Sequence, residues 1–316
     1  MSGRLPAVYN MNMSDLDDTP DYKRAHDKGI SKVNDKGNSL LVSIVIYRPD
    51  KAWLATTLTS LSAALEAAHA TAQITHASVV LVDNEATESE SPHHATMMHS
   101  LGARSWLQAK TVAGHGNIGY GAGNNRAVSS AQSPHDFVLI LNPDVALDPA
   151  SISTGIDYLR AHRKTVLVSP VAVNELGAPL YLAYRYPSVL ALGLRGFAPE
   201  FVKPHFESKL ASYQYRRSGD PPFDGSLTNP TLVSGCFMLI RGNVFCEVGG
   251  FDENFFLYFE DFDLALRISR VGDIVRLPSC RITHAGGGAA RKGLVHIRLF
   301  CQSAIRFFNK HGWRWW

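Results

Sequence analysis

From Leu40 onward the sequence alternates short apolar, β-branched runs with longer stretches of helical periodicity, and this alternation constrains the fold more than any other feature. LLVSIVIY (40–47), SVVLVDN (78–84), 106–112 and DFVLILNPD (136–144) read as buried strands. Between them, KAWLATTLTSLSAALEAAHA (51–70), 92–101 and 121–132 read as helices. A β-α-β-α order predicts an α/β fold in which a mostly parallel central sheet is flanked by helices. Ligands of such sheets bind beyond the carboxyl ends of the strands. Those ends are polar here: Tyr47-Arg48-Pro49-Asp50, Asp83-Asn84, a glycine-rich loop, and Asn142-Pro143-Asp144. Four polar strand ends are thus expected along one edge.

With 316 residues, 45% of them hydrophobic, the chain can bury a large core. A net charge of +3 and the lack of a Lys/Arg-rich block argue against a nucleic-acid partner. Cys236, Cys246, Cys280 and Cys301 form no C-x-x-C pair, which argues against a zinc or redox motif and fits buried thiols in a reducing compartment. No apolar window reaches 18 residues and no signal-like apolar region opens the chain, so a cytoplasmic location is expected. Residues 1–39 are polar and charged and read as a disordered leader. The long stretch 174–229, rich in Pro, Gly, Tyr and Arg, reads as a binding surface or a lid.

Four segments carry chemistry. FDENFFLYFEDFDLALR (251–267) leads into a helix whose inward face holds Leu264, Ile268 and Val271; Asp261 lies on that face, three residues before Leu264. An inward carboxylate is either a helix cap or a working group, whereas Asp263 has a structural partner four residues on in Arg267. GHGNIGYGAGNNRA (114–127) contains Gly114-x-Gly116-x-x-Gly119, but two strands precede it, unlike a dinucleotide fingerprint. It reads either as a structural turn or as a loop admitting a nucleotide to its backbone, with amides from Asn117, Asn124 and Asn125. Asp144 is either a cap for the next helix or a ligand for a hard metal, and Asn142 can add an amide oxygen or reach a ribose. His284 is either structural or part of a diphosphate site, with Gly286, Gly287, Gly288, Arg291 and Lys292 following. A nucleotide diphosphate, a divalent ion and a carboxylate on the acceptor side together suit transfer of the group attached to the diphosphate.

VSIVIY (42–47), LVDN (81–84), GNIGYGAGNN (116–125), LNPDV (141–145), SGCFMLIR (234–241), GGFDENFFLYFEDFDLALR (249–267) and THAGG (283–287) resemble, in order and spacing, the inverting glycosyltransferases of family 2. The likeness is to the bacterial rhamnosyltransferase-like branch that builds O-antigen and other surface polysaccharides, and it covers about residues 40–310. It implies a GT-A fold, a nucleotide-sugar donor such as dTDP-rhamnose, a glycan or lipid-linked glycan acceptor, and Mg2+ or Mn2+ as cofactor. On it, 40–145 is the nucleotide-sugar half, 146–290 the acceptor and catalytic half, and 291–316 a C-terminal helix and Trp-rich tail. Residue by residue, it implies that Asp83 reads the base beside Tyr47 and Asn84. Asn117, Gly119, Gly123 and Asn124 follow the nucleotide; Asp144 and His284 hold the metal; Asp261 is the general base with Glu260 as partner. Asn142 stands where the family often has a first aspartate, which removes a charge from the metal site.

Ile297, Phe300, Cys301, Ala304 and Phe308 form a helical stripe followed by Trp313, Trp315 and Trp316. The stripe either packs on the domain or lies on an anionic membrane, which would make the protein peripheral to it. The competing functions are a nucleotidyltransferase, which usually has a Lys-bearing Gly loop where this chain has YRPD, and a non-catalytic sugar-nucleotide-binding subunit.

Overall fold

The structure, a computed structural model, describes residues 38–87, 91–131, 133–198, 201–216, 230–285 and 293–316. The expected leader lies almost wholly outside the described residues, as do Gly286, Gly287, Gly288, Arg291, Lys292 and most of FDGSLTNP.

The first half follows the sequence pattern. β1 (Ser39–Ile46) is followed by helix α1 (Lys51–Ala70), β2 (His76–Asp83), α2 (His94–Leu101), β3 (Leu107–Val112), α3 (Tyr120–Ser129) and β4 (Phe137–Leu141). Asp50 starts α1 by accepting the Ala52 and Trp53 amides at 2.9 and 3.0 Å, which satisfies orphan donors of the first turn. Strand β1 pairs in parallel with both β2 and β4, and β2 with β3. Alternation along β1 explains the two-sided burial: Leu40, Val42, Ile44 and Ile46 join one core cluster, and Leu41 and Val45 the other. Leu54, Leu58, Leu61 and Leu65 of α1 cover the first face.

The second half is mixed. It runs through β5 (Val145–Leu147), α4 (Ser151–Ala161), β6 (Thr165–Val173), β7 (Pro179–Leu180), β8 (Ala183–Tyr184), α5 (Val189–Phe197), a 3-10 turn (Lys203–Phe206) and α6 (Glu207–Tyr213). After these come β9 (Leu232–Val233), β10 (Phe237–Arg241), α7 (Gly242–Glu247), α8 (Glu260–Ile268), β11 (Asp273–His284) and α9 (Leu294–His311). The main sheet has nine strands in the order β3-β2-β1-β4-β10-β6-β11-β5, with β7 on β6. β10 runs antiparallel between β4 and β6, and β5 antiparallel to β11. The apolar run 231–241 forms two strands: β9 pairs with β8, and the chain bends at Ser234-Gly235-Cys236 before β10 enters the main sheet. The strand expected over 136–144 stops at Leu141, and Asn142 donates its backbone N–H to Cys236 at 2.9 Å. This bond ties the end of β4 to the bend.

At the C-terminus the stripe faces the protein. Phe307 and Phe308 are buried, and Phe300 and Ala304 pack on the same cluster. The reason is aromatic: Phe259 lies with its ring 5.1 Å from Phe300 and 5.4 Å from Phe307. Cys301 of the expected stripe is exposed. Among the described residues no helix is long and apolar enough to cross a membrane.

Candidate active site

Two left-handed residues introduce helix α8. Tyr258 (φ 69°) and Phe259 (φ 65°) precede α8, and such conformations cost non-glycine residues about 1–3 kcal/mol each. Packing holds them: Phe259 is buried among the α9 aromatics, and the Tyr258 hydroxyl lies 2.8 Å from His296 Nδ1. The turn brings Glu260, Asp261 and Asp263 into the first turn of α8, where the helix dipole favours anions.

The three acids part ways from there. Asp261 is partly exposed; its Oδ2 accepts the Gly235 N–H at 2.9 Å and its Oδ1 the Phe262 N–H at 2.9 Å. Glu260 is buried, and its Oε2 has no hydrogen-bond partner among the described residues. Burial first, and then the neighbouring Asp261 charge, push the Glu260 carboxyl well above the ordinary carboxylate range. Burial raises Asp261 as well, but the backbone donors and the Arg195 charge pull the other way. Two adjacent acids of this kind titrate as a pair. Of the two, Glu260 is raised further, and the backbone donors of Gly235 and Phe262 favour the ionised form of Asp261. Glu260 is therefore a group whose folded-state value lies above its unfolded one. Its contribution to stability is fully present below the unfolded value of about 4.3 and is lost as pH rises through the folded value. Glu260→Gln, which mimics the protonated side chain, is expected to flatten the decline of melting temperature with rising pH, as parallel thermal melts of both proteins across the pH range would read.

Gly235 and Cys236 connect this carboxylate to the other strand ends. The Tyr120 hydroxyl donates to Gly235 O at 2.8 Å, and Asn142 donates to Cys236 O. Burial, and after it the charges of Asp144 and Asp261, push the Cys236 thiol up to about 12. A Cβ on Gly235 would sit 3.1 Å from the Asp261 Cβ, a tight contact that would press on the carboxylate side chain. Sequence reasoning missed Gly235 and Tyr120 as site residues, although both lie inside motifs it singled out.

Asp144 and His284 meet through strand pairing: β5 and β11 align His284 with Val145, and His284 Nε2 lies 3.2 Å from Asp144 Oδ1. The Asp144 carboxylate suits Mn2+ or Mg2+, which leave positions for phosphate and water, and the His284 imidazole beside it favours Mn2+ over Mg2+. Among the described residues no group of three or more metal-binding side chains occurs. The two donors fit an ion whose shell the substrate completes.

The expected nucleotide-binding residues divide. Tyr47 is exposed at the end of β1, beside Arg48, whose guanidinium lies 5.2 Å from the Tyr47 ring centre. Asn117 is exposed, and its Oδ1 accepts the Gly119 N–H at 3.1 Å and Asn84 Nδ2 at 3.3 Å. Asn84 is buried and also donates to Gly119 O at 3.0 Å. Asn142 is partly exposed beside Asp144.

Others face inward. Asp83 is buried and accepts from the Glu85 and Ala86 amides at 2.9 and 3.1 Å and from the Ser91 hydroxyl. In this structure it organises its own turn. Asn124 is fully buried: Oδ1 accepts from the Ser43 hydroxyl at 2.6 Å and Nδ2 donates to Tyr120 O at 3.0 Å. It clips α3 to β1, so its amide does not reach a ligand as expected. A Cβ on Gly123 would sit 2.9 Å from both Val45 methyls, so this glycine lets the helix lie on the strand. Gly119 has φ +90°, and a Cβ there would sit 2.4 Å from Phe256 O. Gly119→Ala is expected to lower unfolding stability by about 1–3 kcal/mol, measurable by denaturant titration.

No protein-family model matches the chain. Among curated proteins, it is 27% identical over 250 residues to the N-acetylglucosaminyl-diphospho-decaprenol L-rhamnosyltransferase of Mycobacterium tuberculosis, covering 76% of each chain. It is 29% identical over 208 residues to rhamnosyltransferase WbbL of Escherichia coli K12, covering 63% of this chain and 70% of that one. Among solved structures, GalNAc-T7 with UDP, GalNAc and Mn2+ superposes with a TM-score of 0.54 at 12% identity, covering 86% of this chain and 48% of that one. That likeness concerns the fold. Fold and sequence likeness agree, and the chain is a glycosyltransferase of the GT-A fold, similar to the rhamnosyltransferases.

Proposed function

We propose that the protein is an inverting transferase that moves a sugar, L-rhamnose from dTDP-rhamnose as the first choice, from a nucleotide-diphosphate donor to a hydroxyl of a glycan or lipid-linked glycan. The observation that carries this reading is the Asp261 carboxylate, held at the Gly235 amide and joined through Gly235-Cys236 to the Asn142–Asp144 strand end. Asp261 takes the proton of the attacking hydroxyl, and that oxygen displaces the diphosphate from the opposite face of the anomeric carbon. Burial raises Glu260 further than Asp261, which makes Asp261 the member of the pair that ionises more readily. The exposed Tyr47 and Asn117 line the nucleotide side with Asn84 behind them, and Asn142 reaches the ribose or the diphosphate. Asp144 and His284 would hold the divalent ion. When bound, the ion offsets the charge that builds on the departing diphosphate. The named likenesses support the rhamnosyl choice, because the M. tuberculosis and E. coli relatives are rhamnosyltransferases.

The test is Asp261→Asn assayed with dTDP-rhamnose, UDP- and GDP-sugars. The expected result is loss of transfer with donor binding kept; a folded variant that has lost donor binding would overturn the base role.

A further inference from the structure

Tyr120 opens α3 directly after Gly119, on the side proposed for the nucleotide. Gly119 is held there by Asn84, which donates to its carbonyl at 3.0 Å, and by Asn117, which accepts its N–H at 3.1 Å. The Tyr120 hydroxyl serves a different element. It reaches the bend between β9 and β10 and donates to Gly235 O at 2.8 Å, and Gly235 donates its own N–H to Asp261 Oδ2 at 2.9 Å. A single glycine separates the phenol from the carboxylate.

Both partners suit a hold of this kind. Glycine has the freest backbone of any residue, and Gly235 lies outside the strands on either side of it. Its neighbours are tied through the Ser234 N–H to Leu182 O at 2.8 Å and through the Asn142 N–H to Cys236 O at 2.9 Å, and its own carbonyl is tied by Tyr120. The phenol is delivered rigidly. Tyr120 donates its N–H to Phe256 O at 3.0 Å, its carbonyl accepts Nδ2 of the buried Asn124 at 3.0 Å, and its ring lies edge-on to Phe251 with centres 6.1 Å apart. Burial first, and then Glu260, Cys236 and Asp261, hold the hydroxyl well above its ordinary value, so it stays a donor. Without it the Gly235 carbonyl loses a partner, and the glycine is free to turn its N–H away from Asp261.

We infer that Tyr120 is a positioning residue for sugar transfer: by holding the Gly235 carbonyl it aims the Gly235 N–H at Asp261 and so fixes the carboxylate that meets the acceptor hydroxyl. The inference rests on the reading of Asp261 as the base and adds to it the residue that sets the direction of its carboxylate. Asp261 interacts electrostatically with Glu260 on its own helix, Tyr120 from α3, Tyr184 from β8, Arg195 from α5, Tyr213 from α6 and the Cys236 thiol. Tyr120→Phe removes a neutral hydroxyl and leaves the charges of the other groups as they are. A displaced titration of Asp261 in that variant therefore reports a lost hold on the Gly235 N–H, which favours the ionised carboxylate.

The test follows the Asp261 carboxyl by carbon-13 NMR in the full chain, wild type and Tyr120→Phe, the signal being assigned by its absence from Asp261→Asn. Its midpoint is expected to move to higher pH in Tyr120→Phe, because a donor to the ionised form is lost. Product nucleotide release with dTDP-rhamnose and with UDP- and GDP-sugars gives the rates, and thermal melts check that each variant is folded. Tyr120→Phe is expected to lower kcat about 10–100-fold with donor affinity kept, and to cause no further loss in the Asp261→Asn background. An unmoved midpoint in the folded variant overturns the inference, and so does a loss of rate that is equal in both backgrounds. A moved midpoint in a protein that turns over no nucleotide sugar would leave the hold of Tyr120 on Asp261 standing and remove the transferase reading. Transfer lost in Asp261→Asn, beside an unmoved midpoint and an unchanged rate in Tyr120→Phe, would do the reverse.

Discussion

Asp261→Asn is expected to lower the rate of sugar transfer by about 10²–10⁴-fold, the usual contribution of a positioned general base, while the donor still binds. Asparagine keeps the volume of the side chain and an oxygen that can accept the Gly235 N–H. It has no basic lone pair for the acceptor proton. The proposed donor contacts at Tyr47, Asn117 and Asp144 belong to other elements, so the fold and the nucleotide side should survive the change. Product nucleotide release gives the rate, and calorimetric titration with the donor gives the binding. The pH profile adds a second readout. Because Asp261 must be ionised and burial raises its carboxyl above the ordinary value, kcat/KM of the wild type should fall on the acid side as Asp261 is protonated. That limb should vanish in the residual activity of the variant.

Asp263→Ala is expected to cost about 3–5 kcal/mol of stability, the range for removing one partner of a buried ion pair. Asp263 is fully buried and gathers three groups: Arg267 at 2.7 Å, Lys310 at 2.6 Å and His311 at 2.8 Å. Lys310 also reaches Asp252 at 2.6 Å. The C-terminal helix α9 is thereby fastened to helix α8, and removal of the carboxylate leaves His311 and Arg267 poorly paired. Burial alone would raise the Asp263 carboxyl, but hydrogen bonds from His311, Lys310 and Arg267 hold it down at about 2. A depressed value means that its contribution is present above the unfolded value of about 3.9 and is lost as pH falls from there toward 2. By linkage that contribution is about 2–3 kcal/mol. Denaturant melts should show the acid-side loss in the wild type and a smaller slope in Asp263→Asn.

Helix α8 shows how much was legible in the sequence. Leu264 and Ile268 are buried as their spacing requires, and the Asp263–Arg267 pair forms as its four-residue separation predicts. The same spacing points Asp261 inward. It does not reveal Gly235 as its partner, because that contact spans 26 residues and depends on the bend that splits β9 from β10. The glycine-rich loop was legible only in part. Its small residues imply a close approach, and one occurs, but at Gly123 the approaching group is Val45 and at Gly119 it is Phe256. A need for glycine records that something comes near, not what it is.

What the sequence alone determined is local. The apolar runs set β1 to β4, their polar ends set the edge where chemistry is expected, and helical spacing set the inward face of α8, because side-chain periodicity depends on residues a few positions apart. What only the tertiary structure decided is which distant residues meet. Asp144 faces His284 because β5 pairs antiparallel with β11. Asn124 turns into the core because Ser43 waits on β1. The C-terminal stripe packs inward because Phe259, held in a left-handed turn, lies against it. Each of these is settled by strand order and helix packing between segments that no local pattern connects.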